Sequence, residues 1–343
     1  MTASDHNDAK PVAGPSFFRS AATQAAQSGA AARPVALFVL GMSRSGTSAL
    51  TRVLSLSGGA LPAGMMGADS GNPRGYWEPR ASLRLNYGIM RRHDSSWLDP
   101  TLRLQEEGAF DAKEAAACIA KIEAFLTTLP AAPFVVIKDL QITALSGMWF
   151  EAARRAGFDV AAAIAVRHPL EVIASLSEVN GTSLELASAL WLRANLLAER
   201  HTRAVPRVFV EYANLLKDWR REIERISAAV EIDLNTRDER AIDEFLAPDL
   251  HRQQCSGPAI ERFGTDWISA VHEVLVAAAS DEPWDASVLD RVFEAYRASE
   301  HDFRTAFEDF HKLQRVYRLT RPSMVKLIYE ALALVHRRRG TWA

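Results

Sequence analysis

The chain has 343 residues, 48% of them hydrophobic and 24% charged, the ordinary composition of a soluble globular protein and enough for one large α/β domain or two modest ones. Forty Lys and Arg against 42 Asp and Glu leave a formal charge of −2, which argues against a general nucleic-acid binder with its basic excess. The two cysteines, Cys118 and Cys255, lack metal-ligand spacing and fit buried or surface thiols in a reducing compartment.

Residues 1–33, rich in Ala, Ser, Gln and Gly, have no apolar segment behind a basic start, which predicts a flexible tail and no signal peptide. No apolar run reaches the roughly 18 residues of a membrane span, so the expected location is cytoplasmic. "PVALFVLG" (34–41) reads as a buried parallel strand and 47–58 as a helix stopped at Gly58 and Gly59. The Gly/Pro-rich passage up to Pro79 is loop, and "RASLRLNYGIMRRH" resumes a helical pattern. An amphipathic helix at 113–129 precedes a strand at 133–139, a helix around 146–156 and a strand at 160–167. Helices at 169–178 and 182–203, a strand at 205–212 and one helix over 215–230 complete the alternation. Strand and helix alternating in this way predict an α/β fold: a parallel sheet flanked by helices, with ligands at the carboxyl ends of the strands. The expected organisation is one α/β domain over 34–250 and a helical C-terminal region over 251–343 packed on it. "RPSMVKLIYEALALVHRRRGTWA" is read as a terminal helix on the domain. Its alternative is peripheral contact with an anionic membrane surface, the inner membrane in this setting.

Two stretches carry chemistry. "FVLGMSRSGTSAL" (38–50) runs a strand through Gly41 and Gly46 into a helix that begins at Thr47 and Ser48, a turn that points N–H groups at an anion. The lysine of a nucleotide-triphosphate loop is missing, and the positive charge stands instead at Arg44. "VRHPLEVIASL" (166–176) repeats strand end then helix, with Pro169 in the first turn, Arg167 before it and Ser175 eight positions on. This pair suits one further phosphate.

In combination these motifs resemble the sulfotransferases that use 3′-phosphoadenosine 5′-phosphosulfate, over about residues 35–230. "GNPRGYWEPRASLRLNYGIM" is also similar to a segment of bacterial members. The resemblance implies that Gly41, Arg44, Ser45, Gly46, Thr47 and Ser48 cradle the 5′-phosphosulfate and that Arg167 and Ser175 bind the 3′-phosphate. It places Tyr212, in "VEYANLL", near the adenine, and Lys138, in "VIKDLQIT", at the family's lysine position. The chain departs from the family at Leu140, where cytosolic relatives carry a histidine base.

Sulfuryl transfer asks for in-line alignment, positive charge on the leaving oxygen, here from Arg44 and Lys138, and a base for the acceptor proton. Glu78 in "GYWEP" leads as base; the bland alternative is pairing with Arg74 or Arg80. His93 is held in reserve, and Asp139 is either a base or a structural partner of Lys138. No metal is expected. The acceptor is expected to be a hydroxyl, with a carbohydrate or glycolipid favoured because "VYRLTRPSMVKLIYEAL" resembles tails of bacterial glycan-assembly proteins. The rivals are a phosphate-loop kinase or NTPase, with Asp139 organising magnesium, and a noncatalytic nucleotide- or glycan-binding module.

Overall fold

The computed structural model describes residues 32–69, 71–236, 238–246, 265–319 and 331. Its centre is a four-stranded, wholly parallel sheet of β1 (Val35–Gly41), β2 (Phe134–Lys138), β3 (Asp159–Val166) and β4 (Arg207–Glu211), in the order β2-β1-β3-β4. In β1, Val35 to Val39 pair with Phe134 to Lys138, while Val35 to Gly41 pair with Asp159 to Ala165. The crossovers are helical: α1 (Thr47–Leu56), α2 (Arg80–Arg92) and α3 (Ala112–Leu126) precede β2, and α4 (Ile142–Arg155) precedes β3. Helices α5 (Pro169–Asn180) and α6 (Leu184–His201) lead to β4. Then come α7 (Tyr212–Lys217), α8 (Trp219–Val230), α9 (Glu239–Phe245), α10 (Trp267–Ala279) and α11 (Ala286–Leu319).

The near-continuous apolar strands follow from burial on both faces. Alternate residues split between two cores: Ala36, Phe38 and Leu40 join Trp149, Leu190 and Leu275 on one side. Leu37 and Val39 meet Leu50, Val53, Ile223 and Ile226 on the other. Helices α10 and α11 add Ile268, Val271, Leu289 and Tyr296 to the first core. Arg33, placed in the tail by the sequence pattern, donates to the carbonyls of Arg154, Gly157 and Phe158 at 3.1 Å each; the remainder of that tail, residues 1–31, lies outside the described residues.

Two boundaries differ from expectation. The helix over 215–230 is two helices, because Asp218 leaves helical geometry and its carboxylate accepts from the Arg221 N–H as the N-cap of α8. The helix expected from 146 begins at Ile142, close behind β2, so this crossover leaves the sheet with only a short turn. The terminal helix expected over 321–343 lies outside the described residues apart from position 331. Among the described residues no helix is long and apolar enough to cross a membrane.

Candidate functional site

The strand order reverses beside β1, since β1 leads to β2 on one flank and β2 leads to β3 on the other. A crevice at such a switch point, outside the carboxyl ends, is where open parallel sheets bind ligands. The sequence candidates converge there. Gly41 ends β1, Lys138 ends β2, Arg167 comes directly after β3 and Tyr212 directly after β4.

The turn after β1 is built on positive φ angles: +123° at Gly41, +69° at Arg44 and +87° at Gly46. At Gly41 a Cβ would stand 2.7 Å from the Ala165 carbonyl oxygen of the neighbouring strand. At Gly46 it would stand 2.3 Å from the Tyr212 ring. Gly46 therefore makes room for a side chain of its own protein. No side chain caps α1, so its first N–H groups remain directed at the crevice. Ser45 Oγ, buried within the turn, has no protein hydrogen-bond partner.

The two motifs are joined directly. Arg44 Nε donates to Ser175 Oγ at 2.9 Å, and Arg167 Nη1 donates to the Arg44 carbonyl at 2.9 Å. Arg167 also meets Glu171 at 2.7 Å and lies 4.8 Å from the Tyr212 ring centroid. The ring, buried between Gly46 and Arg167, has its phenol pKa raised by desolvation, with Arg167 working in the opposite direction. Glu171 stands one turn along α5 from Arg167, a spacing readable in the sequence as an i,i+4 pair.

The passage before α2 folds back over the turn. Arg44 Nη1 donates to the Gly71 carbonyl at 3.1 Å, and Ser48 Oγ donates to the Tyr76 carbonyl at 3.1 Å. Lys138 Nζ reaches the same Tyr76 oxygen at 3.2 Å. A lysine absent from the loop is thus delivered beside it by the neighbouring strand. Asn72, whose amide donates to Ser48 Oγ at 3.3 Å and to the Gly75 carbonyl at 2.8 Å, fixes this passage. Asn72 and Tyr76 lie in the segment "GNPRGYWEPRASLRLNYGIM", whose resemblance assigns them no role, since their contributions depend on where a loop lands.

Glu78 is 4% exposed and Lys138 3%, and they form an ion pair at 2.5 Å. The partner of Glu78 is therefore Lys138, not Arg74, which donates to the Glu244 and Phe245 carbonyls, and not Arg80, which donates to the Gly64 carbonyl at 3.2 Å. Asp139 is fully buried and accepts from Asn86 Nδ2 and the Gln141 N–H, each at 2.9 Å. Its pKa is pushed up to about 6, chiefly by desolvation and then by the Glu78 charge. His93 is drawn elsewhere, 3.1 Å from Glu114 and with its ring centroid 4.1 Å from that of Phe110 at a tilt of 49°. Among the described residues no cluster of three or more His, Cys, Asp or Glu is placed to hold a metal.

The crevice thus gathers three cations, Arg44, Arg167 and Lys138, around a helix N-terminus and an orphaned buried hydroxyl. Two buried carboxylates, Glu78 and Glu171, hold two of those cations in place. Such a donor set fits a polyanion with separated phosphate groups.

No family model matches the chain, and no curated relative matches it either. Solved structures similar to it include three sulfotransferases or sulfotransferase domains. The sulfotransferase domain from the Synechococcus PCC 7002 olefin synthase has 18% identity and a TM-score of 0.40, with 71% of this chain and 94% of that one covered. The sulfotransferase domain from the curacin biosynthetic pathway has 14% identity and a TM-score of 0.37, covering 74% and 100%. The sulfotransferase STF9 from Mycobacterium avium has 14% identity and a TM-score of 0.40, covering 78% and 77%. None of these values is high enough to carry an activity or a residue's role from those proteins to this one.

Proposed function

We propose that this protein transfers a sulfuryl group from 3′-phosphoadenosine 5′-phosphosulfate to an acceptor hydroxyl, with a carbohydrate or glycolipid as the leading acceptor class. The observation that carries the reading is the direct bonding of Arg44 to Ser175 and of Arg167 to the Arg44 carbonyl. It joins the turn after β1 to the Arg167 and Ser175 pair in one crevice, which supports reading them as one donor site. A triphosphate enzyme has no use for the second pair.

In this reading the turn from Gly41 to Ser48 holds the phosphosulfate, Arg167 and Ser175 take the 3′-phosphate, and the Tyr212 ring borders the nucleoside side. As the acceptor oxygen bonds to sulfur, the sulfur–oxygen bond to the 5′-phosphate breaks. Arg44 and Lys138 balance the charge that collects on the departing phosphate oxygen. The acceptor proton passes to Glu78, the carboxylate that Lys138 holds next to the turn. Asp139, enclosed by Asn86 and Gln141, sets the charge balance behind Glu78 and does not meet the acceptor.

A second reading, a phosphate-loop kinase or NTPase, draws on Lys138 lying beside the first turn of α1. Calorimetric titration separates the two. Under the sulfotransferase reading, 3′-phosphoadenosine 5′-phosphate binds the wild type, and Arg167→Ala weakens it about tenfold to a hundredfold. ATP with magnesium does not match it. Tight ATP binding that ignores the 3′-phosphate and the Arg167 substitution would sink the proposal. Glu78→Gln tests the base separately: kcat falls by about a hundredfold or more while bisphosphate affinity holds.

A further inference from the structure

A second feature adjoins the crevice on the side of β1 and β2. It is a cavity of about 30 Å³ lined by Met42, Trp97, Leu140, Gln141, Leu190 and Arg193, among others. That volume admits a water molecule or the end of a small polar group, not a whole sugar ring. Its walls are largely apolar, yet two unsatisfied polar groups line it. Arg193 is 6% exposed, and neither its Nε nor its Nη2 has a protein hydrogen-bond partner. Gln141 Oε1 is also buried without one.

A buried guanidinium of this kind is costly unless something pairs with it. The neighbouring carboxylates are ion-paired with other arginines, although Asp99 Oδ2 makes no hydrogen bond. Asp99 lies 3.0 Å from Arg103 and accepts from the Thr101 N–H. Glu300 is paired with Arg304 and accepts from the Leu102 N–H at 2.7 Å. Arg304 reaches outward to the exposed Glu106 as well. Asp99, Tyr296 and Glu300 favour the charged form of Arg193 at longer range, against a larger opposing effect of burial. Arg103, Arg193 and Arg304 thus face Asp99, Glu300 and the exposed Glu106, and Arg193 is the one of the three that forms no ion pair. It sits mid-helix in α6, within the apolar run "ALWLRANLLA", where a charge has no packing reason to be.

We infer that this cavity is the inner end of the acceptor site, and that Arg193 selects acceptors carrying a carboxylate close to the hydroxyl that is modified. The inference rests on the sulfuryl-transfer reading. An Arg fork binds the two carboxylate oxygens, the Gln141 amide takes a neighbouring polar group, and Gly41, Met42 and Ser43, at the start of the turn after β1, are among the residues that line the same cavity. The acceptor class is a hydroxy acid, and among carbohydrates a uronate.

The test uses the full chain saturated with 3′-phosphoadenosine 5′-phosphate and titrated with methyl β-D-glucuronide or methyl β-D-glucoside, a pair differing in the carboxylate. The glucuronide binds the wild type about tenfold tighter or better. Arg193→Met, which keeps an apolar filler, abolishes that preference, and Arg193→Lys retains part of it. Both variants keep wild-type affinity for the bisphosphate, which shows that they are folded. Equal binding of the two sugars, binding of neither, or a preference that survives Arg193→Met overturns the inference. Failure of the bisphosphate itself to bind overturns instead the donor reading on which it rests.

Discussion

At the scale of single residues, Gly46 has two separate reasons to be glycine, its φ of +87° and the Tyr212 ring 2.3 Å from any Cβ. Left-handed backbone and overpacking together predict a loss of about 2–4 kcal/mol for Gly46→Ala in denaturant unfolding. In a Tyr212→Ala background only the backbone part, about 1–2 kcal/mol, remains. An identical loss in both backgrounds would show that the ring does not contact the turn in solution. Asp139 gives a pH prediction with a definite sign. Its folded pKa of about 6 stands above the ordinary aspartate value of 3.8, so the folded state binds the proton more tightly. Stability contributed by this group is present below about pH 4 and is lost as pH rises to about 6, roughly 3 kcal/mol in all. Asp139→Asn removes that slope when unfolding is followed from pH 4 to 7. The substitution has a cost of its own, because both carboxylate oxygens accept hydrogen bonds and an amide offers one oxygen. A wild-type stability that rises across this interval, with the slope unchanged by the substitution, would contradict the assignment.

At the scale of elements, Asp218 decides a helix boundary that hydrophobic spacing alone hides. The pattern of Leu215, Trp219, Ile223, Ile226 and Val230 is apolar on one side throughout and reads as one helix, with every one of these residues buried. Asp218 interrupts it because its carboxylate competes for the Arg221 N–H. Asp218→Ala is expected to lower stability by about 1 kcal/mol while bisphosphate affinity changes less than about twofold, since stability and binding are separately linked. Calorimetry on the melted and the titrated protein reads both numbers. A large loss of affinity would mean that the break between α7 and α8 sets the position of Tyr212, and that the two helices are one functional unit.

At the scale of the molecule, the sheet brings four strand ends to one edge, and the turns and helix starts just beyond those ends assemble the site. Groups from α1, α5, α7 and the loop before α2 meet at that crevice. A ligand that binds only this assembled arrangement stabilises the whole fold by mass action. At a hundred times its Kd, 3′-phosphoadenosine 5′-phosphate is expected to add about 2.7 kcal/mol and to raise the melting temperature accordingly. Arg167→Ala at the same concentration loses most of that rise. An unchanged melting temperature in the wild type would remove the crevice as the binding site.

Much of the molecule is legible from the chain. The continuous apolar runs of the strands, the glycines at 41 and 46 and the sequences of the two strand–turn–helix motifs are local properties, and local chemistry dictates them. The α/β class and the residues at the strand ends come from the order of those runs and motifs. The partnerships are not legible. Nothing in the sequence says that Lys138 pairs with Glu78 and not Asp139, that His93 turns to Glu114, or that Tyr212 fills the space above Gly46. Arg193 leaves a trace as a charge inside an apolar helix, but that it forms no ion pair becomes visible only once Asp99 and Glu300 are seen to pair with Arg103 and Arg304. The amino-acid order decides which groups are available and which backbone each can adopt. Which cation meets which carboxylate depends on distances across the sheet and its crossovers, and those exist only in the folded molecule.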